Sequence, residues 1–324
     1  MLASGSKGNS TVLSSSGASI LVDAGLSCRE TLKRMRSAGE DPERLKAILI
    51  SHEHQDHVNG LSVLARKLKV PVYLTNPTYR EWERAMAPPR RKFVSAAAYF
   101  ASRSAPVKGS AVEIAVEAET ETEDQPPAKP DLTEASVTRC SPEEEEPELK
   151  VGAQIAAELP ALEYFSSGQR FAIGDIEILP FTIPHDAADP VGFLFRIDGV
   201  KIAIVTDLGY VTENVKVHLR NCDVLMIESN HDVEMLREGP YPWSVKQRVL
   251  SRVGHLSNRA LAHFLANDYD GGAAFLVLAH LSEANNHPEL ARKTAEQALG
   301  EQLPLIANKL LLASQSEPLE PIRL

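Results

Sequence analysis

The segment Ser51-His52-Glu53-His54-Gln55-Asp56-His57 puts four side chains able to bind a metal, His52, His54, Asp56 and His57, within six positions. It follows a short apolar run, 47–51, that reads as a buried strand. In extended backbone alternate residues share a face, so His52 and His54 point the same way. A turn then brings Asp56 and His57 round to a second point. The spacing suits two adjacent metals, one held by His52 and His54, the other by Asp56 and His57. Imidazole and carboxylate are suitable donors for zinc, and manganese or iron tolerate them. The bland alternative is a polar loop that happens to be rich in histidine, in a chain with ten of them. Alternation at a strand end, with an aspartate between, weighs against it.

Such groups need a scaffold. Strands are expected at 19–22, ending in Asp23-Ala24-Gly25, at 47–51 and at 70–75; helices are expected at 27–38, closed by Gly39, at 59–68 and at 77–86. Further on, 171–173 and 176–183 flank the turn Gly174-Asp175, and 193–197 and 200–206 flank Asp198-Gly199, a strong hairpin signal. Helices at 211–219, 245–253, 258–266 and 288–299 then alternate with strands at 224–228 and 274–279. Ser257 is placed to cap the helix at 258, and Pro288 to open the last one. The two halves read as two sheets, each covered by helices: an α/β (α+β) chain.

Composition narrows the class. The 324 residues are 43% hydrophobic and 24% charged, a globular profile. No run approaches the roughly 18 apolar residues that cross a bilayer. The polar start, 1–11, does not read as a signal peptide. Three distant cysteines, Cys28, Cys140 and Cys222, make no disulfide framework, so a reducing cytoplasm is expected. The net charge of −10 is concentrated: residues 101–150 carry 13 acidic against 5 basic side chains, leaving 31 against 29 elsewhere. With six prolines between Pro106 and Pro147 and little apolar periodicity, 101–165 is expected to be a disordered acidic insertion in a single domain made of 1–100 and 166–324. The acidity lies there, so it does not argue against a nucleic-acid substrate elsewhere.

The pattern H-x-H-x-D-H resembles the signature of the metallo-β-lactamase superfamily. The resemblance implies a four-layer αββα sandwich with metals at one edge, and further ligands at later strand ends. Three candidates stand in order: His185 after 176–183, Asp207 after 200–206 and His280 after 274–279. By resemblance His185 joins His52 and His54, His280 joins Asp56 and His57, and Asp207 bridges. Two dications roughly 3.5–4 Å apart lower the pKa of a shared water and place the hydroxide for attack, with Asp56 able to ligate and orient it. Asp23 matches the superfamily's first acidic position, where it orients a ligand histidine; a turn aspartate is the alternative.

Fold does not decide reaction. A β-lactamase of the commonest zinc type carries Arg and Cys where this chain has His57 and Asp207, and a ribonuclease J type nuclease carries a large extra domain. The patterns Ser4-Gly5-Ser6-Lys7-Gly8-Asn9-Ser10, Val22-Asp23-Ala24-Gly25, His185-Asp186-Ala187, Glu228-Ser229-Asn230-His231-Asp232, Gly254-His255-Leu256-Ser257-Asn258 and His280-Leu281-Ser282-Glu283-Ala284-Asn285-Asn286 together resemble the WalJ/YycJ-type family. That resemblance implies a metal-dependent phosphodiesterase, proposed as a DNA exonuclease, and with no long apolar run no membrane partner is expected. The opening Met1-Leu2-Ala3 departs from it by shortening the first strand. His255 resembles the histidine that contacts phosphate in ribonuclease Z-like enzymes, where it would assist the leaving group; a helix-start histidine is the plain reading. Asn230 and His231 are candidates for the cleft wall. Tyr241-Pro242-Trp243 is a candidate stacking wall or an aromatic turn packed on the core, and Arg90-Arg91-Lys92 a phosphate contact or a merely exposed triplet. The rival functions are a small-molecule, cyclic nucleotide-like phosphodiesterase, a glyoxalase II-like thioesterase, and a regulatory module with a structural metal. Oligomeric state is left open.

Overall fold

Side-chain alternation along the strands decides the layering. The computed structural model describes residues 1–87, 159–300 and 309–324. The first half contributes strands β1 (Thr11–Ser14), β2 (Ser19–Val22), β3 (Leu45–Leu49), β4 (Val72–Leu74) and β5 (Leu162–Tyr164), which form one sheet in that order. β1 is antiparallel to β2, and the other pairs are parallel. The second half contributes β6 (Phe171–Ile173), β7 (Ile176–Thr182), β8 (Val191–Ile197), β9 (Val200–Val205), β10 (Val224–Glu228), β11 (Phe275–Ala279) and β12 (Lys309–Leu312). They lie side by side in chain order, antiparallel from β6 to β9 and parallel from β9 to β12.

Helices cover the outer faces: α1 (Cys28–Ser37), α2 (Gln55–Val58), α3 (Leu61–Leu68), α4 (Asn76–Met86), α5 (Glu213–Leu219), α6 (Val233–Glu238), α7 (Trp243–Val249), α8 (Asn258–Asn267) and α9 (Pro288–Leu299). Every second residue of a strand changes layer. Ile20, Val22, Ala47 and Leu49 face Phe193, Phe195, Ile204, Met226 and Val277 between the sheets. Their neighbours Leu21 and Ile48 pack outward on Leu32 and Met35 of α1, Leu61 and Leu64 of α3, and Trp82 of α4. In the other sheet Val205, Leu225, Ile227, Leu276 and Leu278 meet Leu219, Leu261, Phe264, Ala291 and Ala295. The result is the expected four-layer αββα sandwich.

Local chemistry reproduces much of the expected element list. Asp198 and Gly199 have φ of 49° and 85°, the double positive φ a two-residue primed turn needs, and they close the β8–β9 hairpin. Ser257 Oγ accepts from Ala260 N at 3.1 Å and caps α8. Some elements differ from the sequence expectation. The helix at 59–68 is preceded by a separate short turn, α2, which carries Asp56 and His57. β1, β5, β12 and α6 were not anticipated, being too short for periodicity to register. β5 corrects the far edge of the acidic segment: Leu162–Tyr164 pairs with β4, because Val72 to Leu74 offer a free parallel edge to extend. The rest of that segment up to 158, with Cys140 and Arg90-Arg91-Lys92, lies outside the described residues. Short as the start is, Leu2 and Ala3 are buried and both donate to Ser10 O, at 2.8 and 3.2 Å. Among the described residues no helix is long and apolar enough to cross a membrane.

Candidate metal centre

The C-terminal ends of strands converge on one edge of the sandwich, where an open sheet leaves backbone and side chains free for ligands. Asp23 follows β2, His52 follows β3, His185 follows β7, Asp207 follows β9, Glu228 ends β10 and His280 follows β11. Three of these residues, Asp23, Asp207 and His280, have positive φ of 61°, 60° and 55°. Non-glycine residues adopt that left-handed backbone only when surroundings hold them there, and such positions cluster at functional sites.

The donor atoms fall into groups. His52, His54 and His185 form one, and Asp56, His57, Asp207 and His280 form another, with the atoms of each group within 4.8 Å of one another. In the first, the rings of His52 and His54 are 4.7 Å apart, and each is 4.9 Å from His185. His185 Nε2 faces His54 Nδ1 at 3.2 Å. In the second, Asp56 Oδ2 lies 3.4 Å from His57 Nε2 and 3.5 Å from His280 Nε2, and Asp207 Oδ2 is 3.4 Å from His57 Nε2.

The outward nitrogens are tied to protein. His52 Nδ1 donates to Ser51 Oγ at 3.0 Å, His57 Nδ1 to Asp23 Oδ2 at 2.9 Å and His185 Nδ1 to Gly254 O at 3.1 Å. His280 Nδ1 lies 2.9 Å from Glu228 Oε1 and 3.0 Å from Asp207 Oδ1. Each ring therefore turns its other nitrogen inward, the one a metal takes when it displaces the proton. Buried polar atoms are normally paired. Yet His52 Nε2, Asp207 Oδ2 and His280 Nε2 are buried and make no hydrogen bond. Those orphaned inward atoms, with the surrounding imidazoles and carboxylates, fit divalent-metal binding.

The electrostatics ask for positive charge. Burial opposes ionisation of His57, but Asp23, Asp207 and Asp56 outweigh it and lift its pKa well above the ordinary histidine range. His280 is raised well above that range in the same way, burial being outweighed by Asp207 first. Burial opposes the charge of Asp56 and Asp207 too, and the histidines hold both carboxyls below their usual range. His52 moves the other way: burial and the neighbouring His57 push it well down, keeping its imidazole neutral.

The structure thus brings together His52, His54, Asp56, His57, His185, Asp207 and His280. It seats Asp23 behind His57, its Oδ1 also accepting from Ser51 N at 2.8 Å. His255 stands beside them, its ring 5.2 Å from His185 and 5.1 Å from His280. Its side chain is 20% exposed against 3% for His280, so it can meet a substrate. Asn230 and His231 are both buried behind the donor groups. Asn230 Nδ2 donates to His280 O at 2.8 Å, bracing that loop, and His231 pairs with Ser257 through backbone.

Sequence reasoning passed over three residues. Glu228 Oε1 receives His255 Nδ1 at 2.8 Å and His280 Nδ1 at 2.9 Å, while Oε2 accepts Leu208 N at 2.9 Å and Leu256 N at 3.0 Å. Burial opposes its charge, but His255 and His280 hold its pKa down at about 2. A carboxylate closing the apolar strand Val224-Leu225-Met226-Ile227 was the available signal. Asn9, in the glycine-rich opening loop, points Nδ2 at Asp56 Oδ2 and His57 Nε2, each 3.0 Å away. Ser51 Oγ donates to Asp23 and accepts from His52 Nδ1.

Relatives agree with this architecture. A family model described as the metallo-beta-lactamase superfamily matches residues 3–238, a span that includes His52 to Asp207. Exodeoxyribonuclease YycJ of Bacillus anthracis is 33% identical over 304 residues, covering 93% of this chain and 89% of that protein. Exodeoxyribonuclease WalJ of Streptococcus pneumoniae serotype 2 is 32% identical over 301 residues, covering 93% and 87%. Among solved structures, the metallo-beta-lactamase fold protein YhfI from Bacillus subtilis matches with a TM-score of 0.56 at 14% identity, over 97% of this chain and 95% of that one, a likeness of fold alone. Fold, strand-end histidines and full-length identity converge: the chain belongs to the metallo-β-lactamase superfamily and, within it, to the WalJ/YycJ-type family.

Proposed function

We propose that this chain is a metal-dependent hydrolase of phosphodiester bonds, acting in the cytoplasm as a DNA exonuclease on a two-metal centre. His52, His54 and His185 would hold one cation, Asp56, His57 and His280 the other, with Asp207 between; zinc is the expected metal, manganese or iron the alternatives. Bound there, divalent ions would acidify a water and neutralise phosphate oxygens. The protein supplies the rest. Asp23 and Ser51 fix the tautomers of His57 and His52. Asn9 donates to Asp56 and orients its carboxylate. His255 would contact the phosphate and give a proton to the leaving oxygen, with Glu228 holding its ring and favouring its charged form.

His255 is the observation that carries the phosphodiester reading. A partly exposed imidazole beside both donor groups, held by a buried carboxylate, suits a reaction that expels an alkoxide. The names of the relatives YycJ and WalJ support DNA as the substrate.

The test is digestion of end-labelled linear double-stranded DNA with Mn²⁺ or Zn²⁺, comparing wild type with Asp56→Ala. The expected outcome is metal-dependent shortening that the variant lacks, with the surviving label giving polarity. No shortening by folded, metal-loaded protein would remove DNA and turn attention to small phosphodiesters and thioesters.

A further inference from the structure

Helix α7 and the loop after it carry an aromatic and apolar surface with no assigned use. Trp243, the first residue of α7, is 64% exposed, and Leu250 and Val253 just beyond its end are 40% and 44% exposed. Trp243 is therefore not packed on the core, the other role open to it in the sequence. Trp243 and Leu250 are seven residues apart, two helical turns, and lie on one stripe. Exposed apolar groups clustered in this way mark interaction surfaces.

Two further observations say what the surface meets. The first is its anchorage. Arg248 Nε pairs with Asp186, the residue after His185. Asp186 N donates to Val253 O at 3.0 Å, His185 Nδ1 to Gly254 O at 3.1 Å, and His255 N to Val249 O at 3.0 Å. The helix is thus bolted to the flank of the metal centre, and at about 1.5 Å per residue Trp243 stands about 8 Å along it from Arg248. That is roughly two steps of a stacked strand at about 3.4 Å each. The second is charge. Between Gly239 and Gly254 the exposed charged side chains are Arg248 and Arg252, and no acidic residue lies among them; Lys246 is buried, its Nζ donating to Arg237 O at 2.6 Å. Arg252 and Arg248 are exposed, with the Arg252 guanidinium 4.4 Å from the Tyr210 ring centroid. A flat aromatic ring, cationic neighbours and continuity with a phosphodiesterase site suit a polyanion with bases to stack.

We propose that α7 and residues 250–254 form a strand-binding platform on which Trp243 stacks a base of a single-stranded DNA end whose phosphate His255 meets. The proposal rests on the nuclease reading for its substrate. Stacking of this kind tolerates any base.

The test is fluorescence anisotropy of a labelled single-stranded DNA oligonucleotide on metal-loaded protein, with His255→Ala, expected to keep its metal, as the slow-cleaving background. Trp243→Ala added to it is expected to raise Kd by about 5- to 150-fold, the worth of one base on an aromatic ring. Trp243→Phe should restore most of the affinity, with metal content unchanged in both. An unchanged Kd overturns the proposal, as does a loss that Phe does not rescue. Light scattering that shows Trp243→Ala splitting a dimer at unchanged Kd would assign the surface to a second copy instead. Trp243-dependent binding without any DNA shortening by wild type would keep the platform and sink the nuclease; shortening that ignores Trp243 would do the reverse.

Discussion

At the scale of single residues, Glu228 organises the chemistry although it reaches neither the expected metals' first group nor the surface. It is fully buried, and its two oxygens serve two histidines and two backbone amides. His255→Ala should lower turnover by about 100-fold or more, the usual worth of a proton donor or charge-stabilising group, while metal content stays near wild type. Loss of both metals in that variant would sink its assigned role. Glu228→Gln makes a different prediction. Burial lowers the pKa of His255, and the Glu228 carboxylate more than compensates, leaving it raised. In the proposed role His255 serves as an acid only while protonated, so activity is expected to fall as pH rises through its pKa. Removing the charge of Glu228 lowers that pKa, and the alkaline limb of the kcat profile should move to lower pH. A limb that stays in place would detach Glu228 from His255.

At the scale of elements, the turns after strands do the positioning. Gly25, two residues past Asp23, is packed so closely that a Cβ there would come within 1.7 Å of Asp56 O. Asn9 N donates to that same carbonyl at 2.7 Å. The turn that carries Asp56 and His57 is thus pressed onto the β2–α1 connection, and only glycine leaves room. Gly25→Ala should displace the turn and strip metal from the Asp56–His57–His280 group, although Gly25 holds no ligand atom. Metal analysis checks this: two equivalents retained would show that the turn can yield without loss. Asp207 and His280 tell a related story. Each leaves its strand through left-handed backbone that costs roughly 1–2 kcal/mol for an ordinary residue. That strain is the consequence of aiming a side chain back across the strand ends.

At the scale of the whole molecule, both sheets contribute candidate ligands at one edge of the sandwich, beyond the apolar layer that packs them together. β3 supplies His52, and β7, β9 and β11 of the other sheet supply His185, Asp207 and His280. Cations held by both sets would cross-link the sandwich at one edge, and a ligand bound only by the folded state stabilises it by mass action. Chelation should therefore lower Tm; at 100-fold saturation the linkage is about 2.7 kcal/mol, or roughly 5–10 °C. Adding back Zn²⁺ or Mn²⁺ should restore it, and Asp207→Asn should blunt the response. A Tm indifferent to chelator in metal-loaded protein would contradict a centre shared between the sheets.

Much of this was legible in the residues themselves. His52 and His54 two positions apart, then Asp56 and His57 round a turn, announce a metal site because such spacing is local. Asp198-Gly199 and Ser257 announce a hairpin and a cap for the same reason: each acts within four residues of itself. The pairing of His185, Asp207 and His280 with the first motif came from resemblance, since nothing local brings residues more than a hundred positions apart together. Only the packed structure decided what stands behind and beside the ligands. Glu228 reads in sequence as a charge after an apolar strand, and becomes a shared acceptor only when β10 lies between β9 and β11. Asn9 reads as a loop residue until the Gly25 turn brings Asp56 against it. Trp243 reads equally as core or surface until the sandwich closes without it. Burial and long-range neighbours are properties of the assembled layers, so the sequence determined which chemistry was available and the tertiary structure decided which residues could perform it.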